Sequence, residues 1–327
     1  MTADLPRTPS SKLKSFTLKV SASILILAVF GWALSASIDL AVIKNIDWQG
    51  IYSSFLFSTL VFVVMQVLRA LRLSYMIGHN YKSFGDLYPI SAIHAFAVFM
   101  LPFRAGEMAL PLLLKSTGRK SLAEGVGITL ILRVMDAAAL LLVIVISSFA
   151  GVFTPLGFDS YITWLSILGI AVIIAFFILA NRGLGSRIAS LTKSRKIEAI
   201  VRGLFASTKV IRVSTQILLF GLTVLIWTAQ ISACYIAASG VVQNIEFGSA
   251  IAAALAGTIA FFQPVNGIAQ AGPFHSAWAL TLSSYGVLWD IAVVSAIVVH
   301  AAALVAVSLQ AGLVTVFARS WQKSDTD

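Results

Sequence analysis

Charge is what this sequence has little of. Only 11% of its 327 residues are Asp, Glu, Lys or Arg, against about 25% in a soluble domain. With 59% hydrophobic residues and a mean hydropathy of +0.94, a water-soluble globule is excluded. A single cysteine, Cys234, excludes an intramolecular disulfide framework and a cysteine metal site. It is expected to pack as a small apolar residue. There is no P-loop, nucleotide fingerprint or His/Cys metal cluster. The Gly183-x-Gly185 run lacks the strand–helix context of a dinucleotide site. These absences lead to an expectation of no cofactor, no metal, no ATP-driven step and no catalytic residues. Acids are also scarce: 13 against 23 Lys and Arg, a net charge of +10. In a membrane protein such an excess reads as a topology signal, not as a nucleic-acid surface.

What the chain has is long apolar runs. They exceed the roughly 20 residues that span a bilayer as helix, and they are too long and uncharged for amphipathic strands. The fold class expected is an all-α polytopic membrane protein. Apolar segments lie at about 16–40, 50–77, 89–114, 125–153, 161–181, 213–239, 248–285 and 287–317. The first is too long for a signal-peptide core and lacks an obvious cleavage site, so it is expected to stay as a membrane helix. Residues 1–15 are expected to be a disordered cytoplasmic tail, 16–318 a single transmembrane domain, and 319–327 a second tail.

Two segments are interrupted, the third at Pro102 to Pro111 and the seventh at Pro264 to Pro273. If all eight segments crossed, the basic 182–212 loop, from Arg182 and Arg187 through Arg195 and Lys196 to Arg212, would fall outside. That breaks the positive-inside rule. If the interrupted segments are re-entrant hairpins, Lys82, Lys115, Arg119, Lys120 and the whole 182–212 cluster fall inside, and Lys44 is the only basic residue outside. The charge pattern therefore predicts six crossing helices, two hairpins and both termini in the cytoplasm. Three crossings separate the hairpins, so they enter from opposite faces and their tips could meet near the midplane, in the manner of inverted-repeat transporters. A faint echo supports the repeat: Ser91-Ala92-Ile93 with Ser249-Ala250-Ile251, and Phe99-x-x-Pro102 with Phe261-x-x-Pro264.

The first interruption is the most informative stretch. Leu101-Pro102-Phe103-Arg104-Ala105-Gly106-Glu107 places ionic groups and helix breakers between apolar runs. Charges at membrane depth cost roughly 2.5–3.5 kcal/mol each on insertion scales, and they face a protein interior or a wet cavity. Backbone freed at Pro102 and Gly106 survives in a bilayer only in such places. Arg104 and Glu107 are three apart and can pair. Arg104 is read as holding a lipid phosphate, with Glu107 positioning it or answering an amine, unless the two are a structural pair. Arg133 and Asp136 repeat the spacing in the next helix, as a buried pair or as part of the same site. Arg69 and Arg72 are expected to anchor at headgroup level, or to form a portal for an anionic lipid. The second interruption offers Asn266, Gln270 and His275 around Pro264, Gly267, Gly272 and Pro273, with no acid. His94 and His300 are expected to be satisfied interior groups. Asp290 and the tryptophans Trp48, Trp164 and Trp289 are expected at the outer interface.

In Leu68-Arg69-Ala70-Leu71-Arg72, the Pro102 to Glu107 core and Ile131-Leu132-Arg133-Val134-Met135-Asp136, the chain resembles the transmembrane domain family of lysylphosphatidylglycerol synthetases, the flippase-like membrane proteins. The resemblance covers about 16–318. It implies a bacterial or archaeal protein linked to moving modified phospholipids or lipid-linked headgroups between leaflets. The family's second hairpin usually carries a Glu that Pro264 to Pro273 lacks, which puts a cationic-headgroup preference in doubt. The synthetases also carry a soluble aminoacyl-transfer domain that does not follow here, so synthesis of the aminoacylated lipid is not expected. The function expected is a lipid translocase in the bacterial cytoplasmic membrane, acting on a phospholipid or polyprenyl-linked lipid. The rival is a non-transporting subunit that scaffolds a lipid-modifying enzyme through the basic loop; a second copy of the chain is another candidate partner. An intramembrane enzyme using Glu107 and Asp136 lacks a nucleophile or metal.

Overall fold

A computed structural model describes residues 47–78, 81–157, 159–182, 211–261 and 272–324, with Glu198 and Ala269 besides. The expected first helix at 16–40, the tail 1–15 and most of the 182–212 loop lie outside the described residues. So do Pro264, Asn266, Gly267 and Gln270. The described elements are all helical: α1 (Trp48–Gly78), α2 (Phe84–Met100), α3 (Ala109–Ser116), α4 (Leu122–Phe149), α5 (Asp159–Asn181), α6 (Val213–Ser239), α7 (Phe247–Phe261), α8 (Pro273–Ser284) and α9 (Trp289–Ser324). A 3-10 stretch, Pro102–Met108, joins α2 to α3.

Five of these, α1, α4, α5, α6 and α9, are long and apolar enough to cross a membrane. They coincide with the expected crossings that lie within the described residues. The protein is an all-α polytopic membrane protein. The interrupted segments behave differently. The 8 residues of α3 reach only ~12 Å and the 12 of α8 only ~18 Å, against a ~30 Å hydrocarbon core. Neither leg spans.

Contacts at the ends show that each broken segment turns back on itself. Arg119, just beyond α3, pairs with Asp86 at the start of α2 at 2.9 Å. Both ends of the first hairpin therefore lie at one end of the bundle. Asn181 and Gln216 exchange hydrogen bonds of 3.1 and 3.0 Å where α5 and α6 meet. The second hairpin closes at the end where α4 finishes. Gly248, at its start, lies against the Val152 side chain, and Tyr285, at its finish, donates to the Val152 carbonyl. Because α4 begins beside the first hairpin's ends and finishes beside the second's, the hairpins enter from opposite ends.

Local chemistry sets these boundaries. Gly118 takes a left-handed φ of 69°, and the Arg119 and Lys120 amides donate to the Leu114 carbonyl, which stops α3. Ser121 and Glu124 then form a reciprocal capping box that starts α4. Between α6, α7 and α8 the core is built from small residues, among them Ala233, Ala237, Ala250, Ala253 and Ala254, all nearly inaccessible. Small side chains let helix backbones approach where lipid gives no hydrophobic driving force. Trp278 is fully buried among them and donates to Ser295 Oγ at 3.0 Å. Trp48, Trp164 and Trp289 are all exposed.

Candidate functional site

The first hairpin tip is held by a backbone that few residues adopt. Helix α2 ends as the Leu101 amide donates to the Ala97 carbonyl at 2.9 Å. Pro102 follows, and Phe103 (φ 55°, ψ 31°) and Arg104 (φ 57°, ψ 20°) are both left-handed. For an L-residue this costs roughly 1–2 kcal/mol. Two such non-glycine residues in succession mark a place where the surrounding structure dictates the backbone. Gly106 allows it: a Cβ there would sit 2.2 Å from the Ala97 carbonyl oxygen. Pro111 is buried in the first turn of α3, where it lies against Gly125 of α4. The tip is thus a folded-back turn, not the regular helical turn that the Arg104/Glu107 spacing suggested.

From this tip an alternating line of charges crosses the bundle. Arg104 Nη2 lies 3.3 Å from Glu107 Oε1. Arg133 donates from Nε and Nη2 to Glu107 Oε2, at 3.1 and 2.8 Å. Its Nη1 donates to Asp136 Oδ2 at 2.9 Å. Arg72 Nη1 donates to Asp136 Oδ1 at 2.6 Å and to Thr223 Oγ1 at 2.9 Å. Arg69 donates to Gln230 Oε1 at 3.1 Å. Arg133 and Asp136 share one face of α4, and Arg133 lies about 16 Å along it from Leu122, close to mid-membrane depth.

The sequence placed Arg69 and Arg72 at headgroup level. The structure corrects that, because both guanidiniums turn inward, Arg69 onto Gln230 of α6 and Arg72 onto Asp136 of α4 and Thr223 of α6. The Arg72 and Asp136 side chains are 6% exposed, while those of Arg104 and Arg133 retain 34% and 35%. The line therefore has a closed inner end and an open outer one. Among the described residues the cluster brings together four guanidiniums and two carboxylates, so positive charge is in excess within it.

The open end faces a cavity of about 200 Å³ between the two hairpins, below the ~300–1,000 Å³ typical of drug-sized ligands and suited to a compact headgroup. Arg69, Arg72, Arg104, Glu107 and Arg133 line it, with Phe99 from the first hairpin and Phe261 and Phe274 from the second. The hairpins converge there on α9. The His300 ring lies 4.9 Å from Phe99 and 5.8 Å from Phe274. Phe99 and Phe261, the pair in the faint repeat, both line the cavity, each near the end of its hairpin's first helix. In the second hairpin, Gly272 (φ 108°) and Pro273 start α8, and the Gly272 amide donates to His275 Nδ1 at 3.4 Å.

Several cavity residues were not singled out in the sequence. Gln66, Trp227 and Gln230 are isolated in apolar helices. Helical spacing was the available signal: Gln66 precedes Arg69 and Arg72 by multiples of three, and Trp227 and Gln230 follow Thr223 at i+4 and i+7. His94 and His300 also line the cavity; His94 differs from the expectation of a satisfied interior group, whereas His300 is hydrogen-bonded to the Ala269 backbone. His94 Nε2 and His300 Nδ1 are buried and have no hydrogen-bond partner among the described residues; the same holds for Gln66 Oε1, Arg72 Nε and Trp227 Nε1. The atoms themselves are inaccessible, although their residues line the cavity. Buried polar atoms without a partner are uncommon and call for a reason. Among the described residues no group of three metal-ligating side chains occurs.

Among curated proteins and among solved structures, none matches this chain. A family model does, over residues 19–311, which include the broken segments and every arginine and carboxylate of the site: the chain belongs to the family described as the lysylphosphatidylglycerol synthase TM region.

Proposed function

We propose that the chain is a lipid translocase. It carries the phosphate-bearing headgroup of a phospholipid or polyprenyl-linked lipid through the inter-hairpin cavity while the acyl tails stay in the bilayer. The observation that carries this reading is the pair of half-buried guanidiniums, Arg104 and Arg133, which face a mid-bundle cavity with surplus positive charge. The outer end of the network is the more accessible one, with Arg104 and Arg133 side chains 34% and 35% exposed against 6% for Arg72 and Asp136. Arginine's planar fork suits phosphate oxygens. Glu107 and Asp136 hold the guanidiniums in place and moderate the field.

Hairpins that enter from opposite ends put one gate on each side of a single site, which is the geometry alternating access requires. The distribution of basic residues supports both termini in the cytoplasm, and the family resemblance supports a bacterial cytoplasmic membrane. The drive is a gradient of the lipid or of an ion, and no bond of the lipid is broken.

The test is flip-flop of fluorescent phosphatidylglycerol, aminoacylated phosphatidylglycerol and a polyprenyl phosphate in proteoliposomes, with wild type and Arg104→Gln. A hydrogen bond to a charged group is worth ~1.5–3 kcal/mol, so transport by the variant should fall by roughly 10- to 150-fold. Equal transport by the folded variant would refute the site. No movement of any of these lipids by the folded wild type would refute the translocase reading for these classes.

A further inference from the structure

The four arginines of the site do not stand alike. Arg72, Arg133 and Arg104 share Asp136 and Glu107 in one continuous chain of ion pairs. Arg69 stands outside that chain. It lies one turn before Arg72 on α1, lines the cavity and is half-buried. Its guanidinium donates to a neutral amide, Gln230 Oε1, at 3.1 Å, and among the described residues it forms no ion pair. No acid other than Glu107 lines the cavity among the described residues, and the sequence from 262 to 271 contains none. A charge kept inside a membrane bundle without a counter-ion marks the path of an ion or substrate.

The rest of the cavity wall offers little to a glycerol or a sugar. Gln66 Oε1, His94 Nε2 and Trp227 Nε1 are inaccessible. Phe62, Met65, Phe99, Phe261, Phe274 and Val299 supply apolar surface. The space, about 200 Å³, suits a headgroup that ends at its phosphate. A terminal phosphate also differs from a diester in charge. Above a pH of about 6 it carries a second negative charge, and it presents three acceptor oxygens. At an effective dielectric of ~20, that second charge roughly 10 Å from Arg69 gains about tenfold in binding.

We infer that the site selects a lipid whose headgroup is a terminal phosphate, bound as its dianion, over a phosphodiester such as phosphatidylglycerol, and that Arg69 is the residue that sets this preference. This rests on the phosphate-site reading above and narrows it to one class of phosphate.

The test is calorimetric binding to the purified full chain in neutral micelles, at pH 8 and pH 5. The ligands are short-chain phosphatidic acid, a short-chain polyprenyl phosphate, short-chain phosphatidylglycerol and inorganic phosphate. The variants are Arg69→Gln, Arg104→Gln and Gln230→Glu, the last giving Arg69 a carboxylate in place of the amide. At pH 8 both terminal-phosphate lipids should bind about tenfold more tightly than phosphatidylglycerol. At pH 5 they are mostly monoanions, and the preference should shrink to about twofold. The arginines keep their charge over this range. Glu107, His94, His300 and Cys234 on the cavity wall, with Asp136 and His275 behind it, meet both kinds of lipid. A histidine that gained a proton at pH 5 would raise the preference for a dianion, opposite to the expected change. Arg69→Gln and Gln230→Glu should each reduce the preference at pH 8 to about twofold or less. Equal binding of terminal phosphates and phosphatidylglycerol at pH 8, or a preference untouched by both variants, would overturn the selection. Loss of all lipid binding in Arg104→Gln, alongside such a failure, would leave the phosphate site standing. Unchanged binding of every lipid in Arg104→Gln would overturn the phosphate site itself. Inorganic phosphate binding as tightly as the lipids would assign the site to free phosphate and overturn the lipid as its ligand.

Discussion

Removal of the Asp136 charge, by Asp136→Asn, tests the ionic line most sharply, because its two arginine partners are not equivalent. Arg133 keeps its two bonds to Glu107. Arg72, with a side chain 6% exposed, has no other carboxylate within salt-bridge distance among the described residues. A guanidinium stranded in this way costs ~3–5 kcal/mol. Arg72→Met is milder, since Asp136 retains the 2.9 Å contact with Arg133 and loses a partner without being left alone. The double variant Arg72→Met/Asp136→Asn removes the stranded charge together with its partner. It is therefore expected to be more stable than Asp136→Asn alone, by about 1–3 kcal/mol, in the manner of buried pairs replaced as a unit. The assay is reversible unfolding of purified protein in mixed micelles with increasing dodecyl sulfate. If the two substitutions instead add, or if Asp136→Asn costs less than about 1 kcal/mol, Arg72 is not a buried ion that depends on Asp136, and the line of charges is not a structural unit.

The hairpin geometry makes its own predictions. Gly106→Ala brings a methyl to 2.2 Å from a backbone oxygen, so it should abolish monodisperse protein in size-exclusion chromatography; a well-folded variant would contradict the tip conformation. With Cys234 replaced by Ala, single cysteines at Lys82 and Arg119 should react with an impermeant maleimide from the same face, and one at Leu156 only from the opposite face. Labelling of Lys82 and Arg119 positions from different faces would exclude a re-entrant first hairpin. Glu107→Gln frees two guanidiniums from a carboxylate that is partly exposed. It should tighten binding of a phosphate-bearing amphiphile, measured by calorimetry, with a fall in affinity as the contrary result. Ser121→Ala removes one half of the α4 capping box and should lower stability by ~1 kcal/mol, read from the same micelle unfolding assay.

The sequence by itself determined the membrane class, the described spans and the two interruptions. Each rests on local physics: a bilayer demands runs of apolar residues, and proline and glycine stop a helix wherever they fall. It also showed that Arg104, Glu107, Arg133 and Asp136 could matter, because ions at membrane depth need a reason. It could not show that Arg72 is the innermost member of their line. Placed near a helix end in the sequence, Arg72 reads as an anchor, and only the packing of α1 against α6, which brings Arg72 within reach of Asp136 on α4, turns it inward. Nor could it show that Gln66, Trp227, His94 and His300 face one space, since they lie on four separate helices and each reads alone as an ordinary interior residue. The i, i+3 pairing of Arg104 with Glu107 was legible, whereas the stronger bonds from Arg133 to Glu107 were not. A hydrogen bond across 26 residues depends on where a folded-back tip lands, and that is decided by the close approach of Gly106 to Ala97. The local pattern thus chose the ions, and the tertiary fold chose their partners and kept the Arg104 and Arg133 side chains about one-third exposed.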